Sequence, residues 1–200
     1  MAGNLRILRI ALWTTVVLAL AALVWFQVVE PRLNQPAGMH SDLGKGDYQL
    51  VTTDGQPFTE DSMKGQPTAV FFGFTHCPDV CPTTLGEVMA WQEDLEAEDQ
   101  ELRVLFVTVD PERDTQEILG EYVSWVPGVT GITGTPEEIA KATRAFRVYA
   151  RKAPLNEGGY NVDHSTQVLL FDAQGEYFGL IGYQEPHERA MGTLRRLLAG

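Results

Sequence analysis

The stretch that decides the fold is residues 68–82, which run Thr-Ala-Val-Phe-Phe-Gly-Phe-Thr-His-Cys-Pro-Asp-Val-Cys-Pro. Its first seven residues are mostly apolar and include one Val and three Phe, a composition typical of a buried strand. From Pro82 onward the apolar residues recur at helical spacing, which predicts a helix. Cys77 and Cys81, the two cysteines of the chain, therefore lie where a strand passes into a helix N-terminus. Free backbone N–H groups and the helix dipole favour a thiolate there.

The rest of the chain alternates strand and helix patterns. The predicted elements are, in order, a hairpin around Asp54-Gly55, a strand at 102–109, helices capped by Asp114 and by Thr135, a short strand at 147–151, a hairpin around 172–175 and a last helix at 186–198. This order predicts an α/β three-layer domain with a mixed central sheet and an N-terminal β-hairpin extension. A cysteine pair at the end of the first core strand favours a thioredoxin-like fold.

The spacing of the two cysteines allows two kinds of chemistry. Positions four apart share a helix face, so the two Cα atoms should lie about 6 Å apart, within reach of a disulfide. Three intervening residues, against two in Cys-X-X-Cys exchangers, leave more room for a soft metal ion between the sulfurs. Two sulfurs do not complete a metal site, so a histidine, methionine or carboxylate must join Cys77 and Cys81.

Four histidines compete for the position of the missing ligand. His164 precedes a core strand, in a loop that a thioredoxin-like sheet places beside the cysteine helix, and we expect it to be the third ligand. His76 adjoins the cysteines but should point away from them, His40 falls in a tether, and His187 opens the last helix. Two thiolates and one imidazole suit Cu(I) and can hold Cu(II), whereas zinc would want a fourth ligand. We therefore expect copper.

Three acidic residues, Asp163, Asp110 and Asp114, adjoin predicted elements of the domain. Asp163 is expected either to orient a ring nitrogen of His164 or to be a turn residue. Asp110 follows the second core strand, at the edge where the cysteines lie, and either tunes the site, faces a partner or is a turn residue. Asp114 is predicted to be a helix cap only.

The N-terminus predicts a membrane anchor. Residues 10–29 carry no charge, and 20 helical residues match the hydrocarbon core of a bilayer. Arg6 and Arg9 precede the run, which favours a cytoplasmic N-terminus. A cleaved signal peptide is the alternative, but the run exceeds the usual apolar region and offers a poor cleavage site. We predict a cytoplasmic N-terminus at 1–9, an anchor at 10–29, a tether at 30–46 and a thioredoxin-like copper-binding domain at 47–200.

The charge of the chain excludes one class of partner. The net charge is −12, and because residues 1–33 hold three Arg and one Glu, the remainder carries −14. A nucleic-acid-binding protein needs a basic surface, which this composition does not supply. With one inward-facing anchor, the domain is expected in the periplasm of a bacterial inner membrane, where disulfides persist.

Three segments together resemble the Sco (SenC-type) family of copper-handling proteins. They are Gly73–Leu85 with both cysteines, Val109–Thr115 with the sequence Val-Asp-Pro-Glu-Arg-Asp-Thr, and Val162–Ser165 with His164. The resemblance extends over roughly residues 48–198. It implies copper ligation by Cys77, Cys81 and His164. It also implies a part in building the dinuclear copper centre of cytochrome c oxidase subunit II, as metallochaperone, as thiol reductant, or both, with a periplasmic copper donor or thiol reductant as a further partner.

Other functions remain open at this point. A thiol–disulfide oxidoreductase would use Cys77 as its nucleophile and Cys81 as the second redox-active thiol, without copper. No proline precedes the strand at Thr166, where disulfide-exchange members of the fold carry a cis-proline. A peroxidase of the same fold would need a Thr or Ser three residues before its cysteine, but Pro78 and Phe74 stand there. A structural disulfide would explain the cysteines and leave His164 without a role.

Overall fold

The computed structural model describes Arg9, residues 12–19, Trp25, and residues 42–156 and 158–200. The chain divides into two compact units, Met1–Met39 and His40–Gly200. In the first unit residues 12–19 are helical. No described helix is both long enough and apolar enough to cross a bilayer. Most of the predicted N-terminus, anchor and tether (1–9, 10–29 and 30–46) lies outside the described residues.

The second unit alternates strands and helices after an N-terminal hairpin. Its elements are β1 (Leu50–Thr52), β2 (Pro57–Phe58), a 3-10 helix (Glu60–Met63), β3 (Thr68–Gly73), α1 (Val80–Glu96), β4 (Arg103–Thr108), α2 (Gln116–Val123), β5 (Val129–Thr133), α3 (Pro136–Ala145), β6 (Ala150–Pro154), β7 (Tyr160–His164), β8 (Val168–Phe171), β9 (Tyr177–Ile181) and α4 (His187–Leu198).

Within the described residues, seven strands form one mixed sheet in the order β2-β1-β5-β4-β3-β8-β9. Strand β4 runs parallel to β3 and β5, while β8 runs antiparallel to β3. Alternate residues of β3 face opposite sides: Phe71 packs with α1 and α4, and Phe72 packs with α3. This arrangement confirms the predicted thioredoxin-like three-layer domain with a mixed central sheet. Strands β6 and β7 form a separate antiparallel pair.

Helix α1 begins earlier than predicted. It starts at Val80, with Asp79 in the N-cap position, so Pro82 is the third helical residue. Proline is tolerated there because the first-turn N–H groups have no partner within the helix. Cys81 is consequently in the first turn and Cys77 in the preceding loop, so the prediction that both share one helix face was wrong.

The N-cap of α2 also differs from the prediction. The cap is Thr115, whose hydroxyl accepts a hydrogen bond from the backbone N–H of Ile118. Asp114, which was predicted to be the cap, is fully buried one residue earlier. Two adjacent side chains were both suited to capping, and the one next to the helix takes the role.

The region before β8 is a hairpin rather than a strand followed by a loop. The predicted strand at 147–151 lies at Ala150–Pro154, and His164 ends β7 instead of lying in a loop. Gly158 and Gly159 make the turn, with φ of 92° and 80°, values that glycine adopts without strain. Because β6 is mostly exposed, it lacks the apolar alternation that marks a strand in a sequence.

Candidate metal site

The three predicted ligands lie together. Their ligand atoms, the two Sγ atoms and a ring nitrogen of His164, are all within 4.8 Å of one another. Sγ of Cys81 is 3.8 Å from Nε2 of His164. The backbone N–H of Cys81 donates to Sγ of Cys77 at 3.4 Å, and both cysteines are free thiols. In the described part of the chain, no second group of three His, Cys or acidic side chains meets this criterion.

The sulfur side of the site is built into the protein core. Cys81 is completely buried against the β3 face of the sheet, and Cys77 is half-buried in the loop. Gly73, the last residue of β3, makes room for this sulfur. A Cβ at position 73 would lie 2.7 Å from Sγ of Cys81 and 2.7 Å from Cζ of Phe106. The strand end is therefore shaped to accommodate the Cys81 side chain.

Asp114 holds the loop that leads to Cys77. Its carboxylate accepts hydrogen bonds from the backbone N–H of Thr75 at 3.1 Å and from the Thr75 hydroxyl at 2.6 Å. It also accepts from the hydroxyl of Thr108, at the end of β4, at 2.6 Å. Asp114 thus joins the end of β4 to the cysteine loop, a role that the sequence interpretation missed. The available signal was the neighbouring Thr115, which is itself a good cap and leaves Asp114 free for another task.

The nitrogen side of the site comes from the hairpin. Nδ1 of His164 is 2.7 Å from the backbone carbonyl of Ser165. A carbonyl can only accept, so Nδ1 carries the proton and Nε2 presents its lone pair toward Cys81. The ring packs edge-to-face on Phe74, with the centroids 5.7 Å apart. Of the two alternatives left open for Asp163, the structure does not support the orienting role, because Asp163 is exposed and the Ser165 carbonyl binds Nδ1.

The other histidines lie apart from this group or outside the described residues. His76 is exposed, and its Nδ1 pairs with the Thr75 hydroxyl at 2.9 Å. His187 pairs with Asp94 at 2.8 Å on the surface. His40 lies outside the described residues. The preference for His164 over His76 and His187 therefore agrees with the geometry.

Asp110 begins a turn, in which its carbonyl accepts a hydrogen bond from the backbone N–H of Arg113 at 3.1 Å, and its side chain does not face outward toward a partner. Its side chain is fully buried and forms an ion pair with Nε of Arg113. It also accepts a hydrogen bond from the hydroxyl of Tyr160 at 2.8 Å. Because Tyr160 begins β7, Asp110 is linked to the hairpin that carries His164.

The two thiols have very different affinities for their protons. The hydrogen bond from the Cys81 thiol lowers the pKa of Cys77 to about 4, outweighing the effect of burial, and the backbone N–H groups of Cys81 and Asp79 lower it further. The same hydrogen bond, together with burial, raises the pKa of Cys81. The metal-free protein at neutral pH therefore has one thiolate, at Cys77, and one protonated thiol, at Cys81.

This donor set suits a soft, low-coordinate metal ion. Two sulfurs and one imidazole nitrogen match the preferences of Cu(I), whereas a structural zinc site would need a fourth protein ligand. Within the described residues no further His, Cys or acidic side chain joins the group. A metal that takes both sulfurs as thiolates must displace the proton of Cys81, so binding would release a proton.

Comparison with known proteins supports one family. The SCO1/SenC family model matches residues 37–199. The mitochondrial SCO2 homologue of Mus musculus is 37% identical over 161 residues, covering 78% of this chain and 63% of that protein. Across the first curated relatives, the chain spans 51% to 63% of their length.

Two solved structures share both the fold and much of the sequence. The structure of Bradyrhizobium japonicum ScoI with copper bound is 39% identical with a TM-score of 0.70, covering 78% of this chain and 99% of that chain. Yeast Sco1 with copper bound is 32% identical with a TM-score of 0.72, covering 80% of this chain and 90% of that chain. The family model, the relatives and the fold agree, and the chain belongs to the SCO1/SenC family.

Proposed function

We propose that this protein binds copper through Cys77, Cys81 and His164, and that it delivers copper to, or prepares the thiols of, the dinuclear copper site in cytochrome c oxidase subunit II. The observation that carries the proposal is the convergence of two sulfurs and Nε2 of His164 within 4.8 Å, in a chain of the SCO1/SenC family. The two related structures with copper bound support copper as the metal, and soft sulfur donors favour Cu(I).

The proposal includes a place in the cell. The protein would be anchored in a bacterial inner membrane by residues 10–29, with residues 1–9 in the cytoplasm. A tether at 30–46 would carry the copper-binding domain, 47–200, in the periplasm. The uncharged run and the preceding Arg6 and Arg9 support this orientation. A tethered domain outside the cytoplasm would meet a copper site that is itself built on a membrane protein.

The two sulfurs would have different tasks in transfer. Cys77 is half-buried and lines a cleft with Pro78, Asp79 and Asn161, whereas Cys81 is sealed in the core. An acceptor thiolate approaching through this cleft, which His164 also lines, would reach the copper without contacting Cys81. Copper would then pass by stepwise ligand exchange, in which each new bond from the acceptor replaces one bond from this protein.

The same geometry supports thiol reduction as a second task. The lowered pKa of Cys77 makes it the attacking thiolate. It would form a mixed disulfide with an oxidised acceptor and release one acceptor thiolate. Cys81 would then lose its proton and attack Cys77, which yields the Cys77–Cys81 disulfide and the reduced acceptor dithiol. Two electrons pass from this protein to the acceptor.

Copper binding by matched histidine variants tests the ligand set. The full chain, in mild detergent because of its apolar N-terminus, would be reduced, loaded with Cu(I) and titrated with a competing Cu(I) chelator. We expect one copper per chain, and a loss of affinity of more than about 100-fold in His164→Ala, because removing a ligand exceeds the effect of removing an outer partner. His76→Ala and His187→Ala are the controls and should leave the affinity unchanged.

Two results would contradict the proposal. Equal affinity in His164→Ala and His76→Ala would remove His164 from the site. Failure of the reduced wild-type chain to retain copper, together with efficient turnover of unrelated disulfides, would favour a general thiol–disulfide oxidoreductase instead.

A further inference from the structure

The segment Asp110–Asp114 contacts both halves of the candidate site through different side chains. We propose that this segment positions the two halves relative to each other. Asp114 holds the loop that carries Cys77, and Asp110 with Arg113 holds, through Tyr160, the hairpin that carries His164. The inference rests on the proposed function in one respect, because it concerns the geometry of the same ligand set.

The contact with the sulfur half is a buried carboxylate. Asp114 has no exposed surface, and its two oxygens accept three hydrogen bonds from Thr75 and Thr108. Thr75 lies two residues before Cys77. Its hydroxyl and its backbone N–H are both bound to Asp114, so the chain has little freedom just before the cysteine. Hydrogen bonds to an ionised acceptor are stronger than those between neutral groups.

The contact with the nitrogen half passes through Tyr160. The Tyr160 hydroxyl donates to Asp110 at 2.8 Å, and Nη1 of Arg113 donates to the Tyr160 carbonyl at 3.2 Å. The guanidinium carbon of Arg113 lies 4.1 Å from the Tyr160 ring centroid, a cation–π contact. Asp110 and Arg113 also form an ion pair with each other, which offsets the charge of the fully buried carboxylate.

A second ion pair also joins the segment Asp110–Asp114 to the β6–β7 hairpin. Glu112 binds the ammonium group of Lys152, on β6, at 2.6 Å. The ammonium nitrogen also lies 4.4 Å from the Tyr160 ring centroid. The Tyr160 ring therefore contacts two cations, Arg113 on the segment and Lys152 on the hairpin. Three residues of the segment thus contact the hairpin.

The geometry of β7 links the position of Tyr160 to the position of His164. Tyr160, Val162 and His164 are alternate residues of β7, so they project from the same face of the strand. Val162 is buried in the core, and the two flanking side chains are partly buried. Fixing Tyr160 therefore fixes the face that presents the imidazole, about 13 Å further along the strand. One short segment consequently sets the separation between sulfur and nitrogen donors.

Two matched pairs of variants separate the two contacts. Tyr160→Phe removes the hydroxyl bound to Asp110, and Tyr149→Phe makes the same chemical change on an exposed ring that precedes β6. Thr75→Val removes the hydroxyl bound to Asp114, and Thr75→Ser keeps it. Hydrogen exchange of the metal-free full chain would be followed by mass spectrometry, and the same samples would be loaded with Cu(II) for electron paramagnetic resonance.

We expect each variant to loosen one half of the site. In Tyr160→Phe, amide exchange across residues 150–164 should rise about tenfold, the value of one lost hydrogen bond to a charged group, while residues 74–81 keep their protection. Copper affinity should fall about tenfold, with weaker nitrogen coupling in the spectrum. Thr75→Val should instead raise exchange at 74–81 and spare the hairpin. Tyr149→Phe and Thr75→Ser should behave as wild type.

Two outcomes would overturn the inference. One is exchange and nitrogen coupling in Tyr160→Phe that match Tyr149→Phe. The other is an equal increase in exchange at both segments in every variant, which would show a loss of overall stability. Should Tyr160→Phe not fold, Arg113→Lys keeps the charge beside Asp110 without the two-sided donation, and the same criteria apply. If the wild type binds no copper, the proposed function fails, while the exchange data still decide on the positioning role.

Discussion

The two halves of the candidate site are built on different principles. The sulfur half belongs to the main domain: Cys81 is sealed beneath the end of β3, in a core cluster that includes Phe71 and Trp91. The nitrogen half is carried by a separate two-stranded sheet, of which β6 is largely exposed. Core packing fixes Cys81, and the buried carboxylate of Asp114 fixes the loop of Cys77. The imidazole is fixed by ring packing on Phe74 and by a small set of polar contacts around Tyr160.

This difference suggests that the two halves of the site would behave differently during the proposed metal transfer. Packed cores resist small displacements, so the sulfur half is expected to stay in place as copper enters and leaves. A hairpin held by a few polar contacts opens at a lower free-energy cost. His164 would therefore be the donor that is released first when copper moves to an acceptor.

The largest expected effect follows from removing a sulfur. Cys81→Ala deletes the buried donor and leaves one thiolate and one imidazole, so Cu(I) affinity should fall by more than about 100-fold, beyond the range for outer partners of a ligand. Competition with a Cu(I) chelator measures the loss. Because the sulfur half is the fixed part of the site, His164→Ala should weaken binding less than Cys81→Ala does. The opposite order would show that the nitrogen half contributes more to copper binding than the buried sulfur does.

The next effect concerns the pH dependence of thiol reactivity in the metal-free, reduced protein. The pKa of Cys77 is lowered to about 4, so its thiolate is already formed above that pH and protonates only below it. Alkylation of Cys77 should therefore change little between pH 6 and 8, where an ordinary thiol speeds up about 100-fold. Cys81, buried and with a raised pKa, should remain unmodified.

Peptide mapping after a short pulse of iodoacetamide measures both rates. The Cys81→Ala variant is the control, because it removes the thiol whose hydrogen bond lowers the pKa of Cys77. In that variant the backbone N–H of residue 81 still donates to Cys77, but the rate should rise more steeply with pH than in the wild type. A steep rise in the wild type would show that the two thiols are not coupled as the geometry indicates.

A smaller effect tests the packing of the sulfur half. In Gly73→Ala the new Cβ would meet Sγ of Cys81 and the ring of Phe106, each at 2.7 Å. Overpacking of this kind costs about 1–3 kcal/mol, and we expect that decrease in the free energy of unfolding by urea. Gly86→Ala, in the middle of α1 with open space around the new Cβ, is the control and should gain up to about 1 kcal/mol. Equal stability of the two variants would mean that the Cys81 side chain and the Phe106 ring can move to accommodate the added methyl group at little cost.

Sequence patterns predicted the parts of the site that local chemistry specifies. The apolar run of β3 and the helical spacing after it located the strand and helix that flank the cysteines. The short spacing between Cys77 and Cys81 in the sequence identified them as a candidate redox or metal-binding pair. His164 followed from its position just before a core strand, once a thioredoxin-like order of elements was assumed, although it ends a strand rather than lying in a loop.

The contacts that hold the site together could not be predicted in the same way. The Tyr160–Asp110 hydrogen bond joins residues 50 positions apart, and nothing local in the sequence marks it. The acceptor for Nδ1 of His164 is a backbone carbonyl, which every residue possesses. The role of Asp114 was missed because its side chain is well suited to cap the helix. Thr115 is the residue that caps it. Patterns show which groups can react, whereas their positioning depends on long-range packing and on the backbone.

The smallest expected effect sharpens the account of the nitrogen half. Asp163 adjoins His164 in the sequence but is exposed, and the ring proton on Nδ1 is bound by the Ser165 carbonyl at 2.7 Å. Asp163→Asn should therefore change Cu(I) affinity by less than about twofold, as expected for a surface substitution away from packed or buried polar groups. A tenfold loss, measured with the same chelator competition, would instead give Asp163 the orienting role. It would also mean that the hairpin rearranges when copper binds, because the carboxylate would have to reach the ring from a position on the surface.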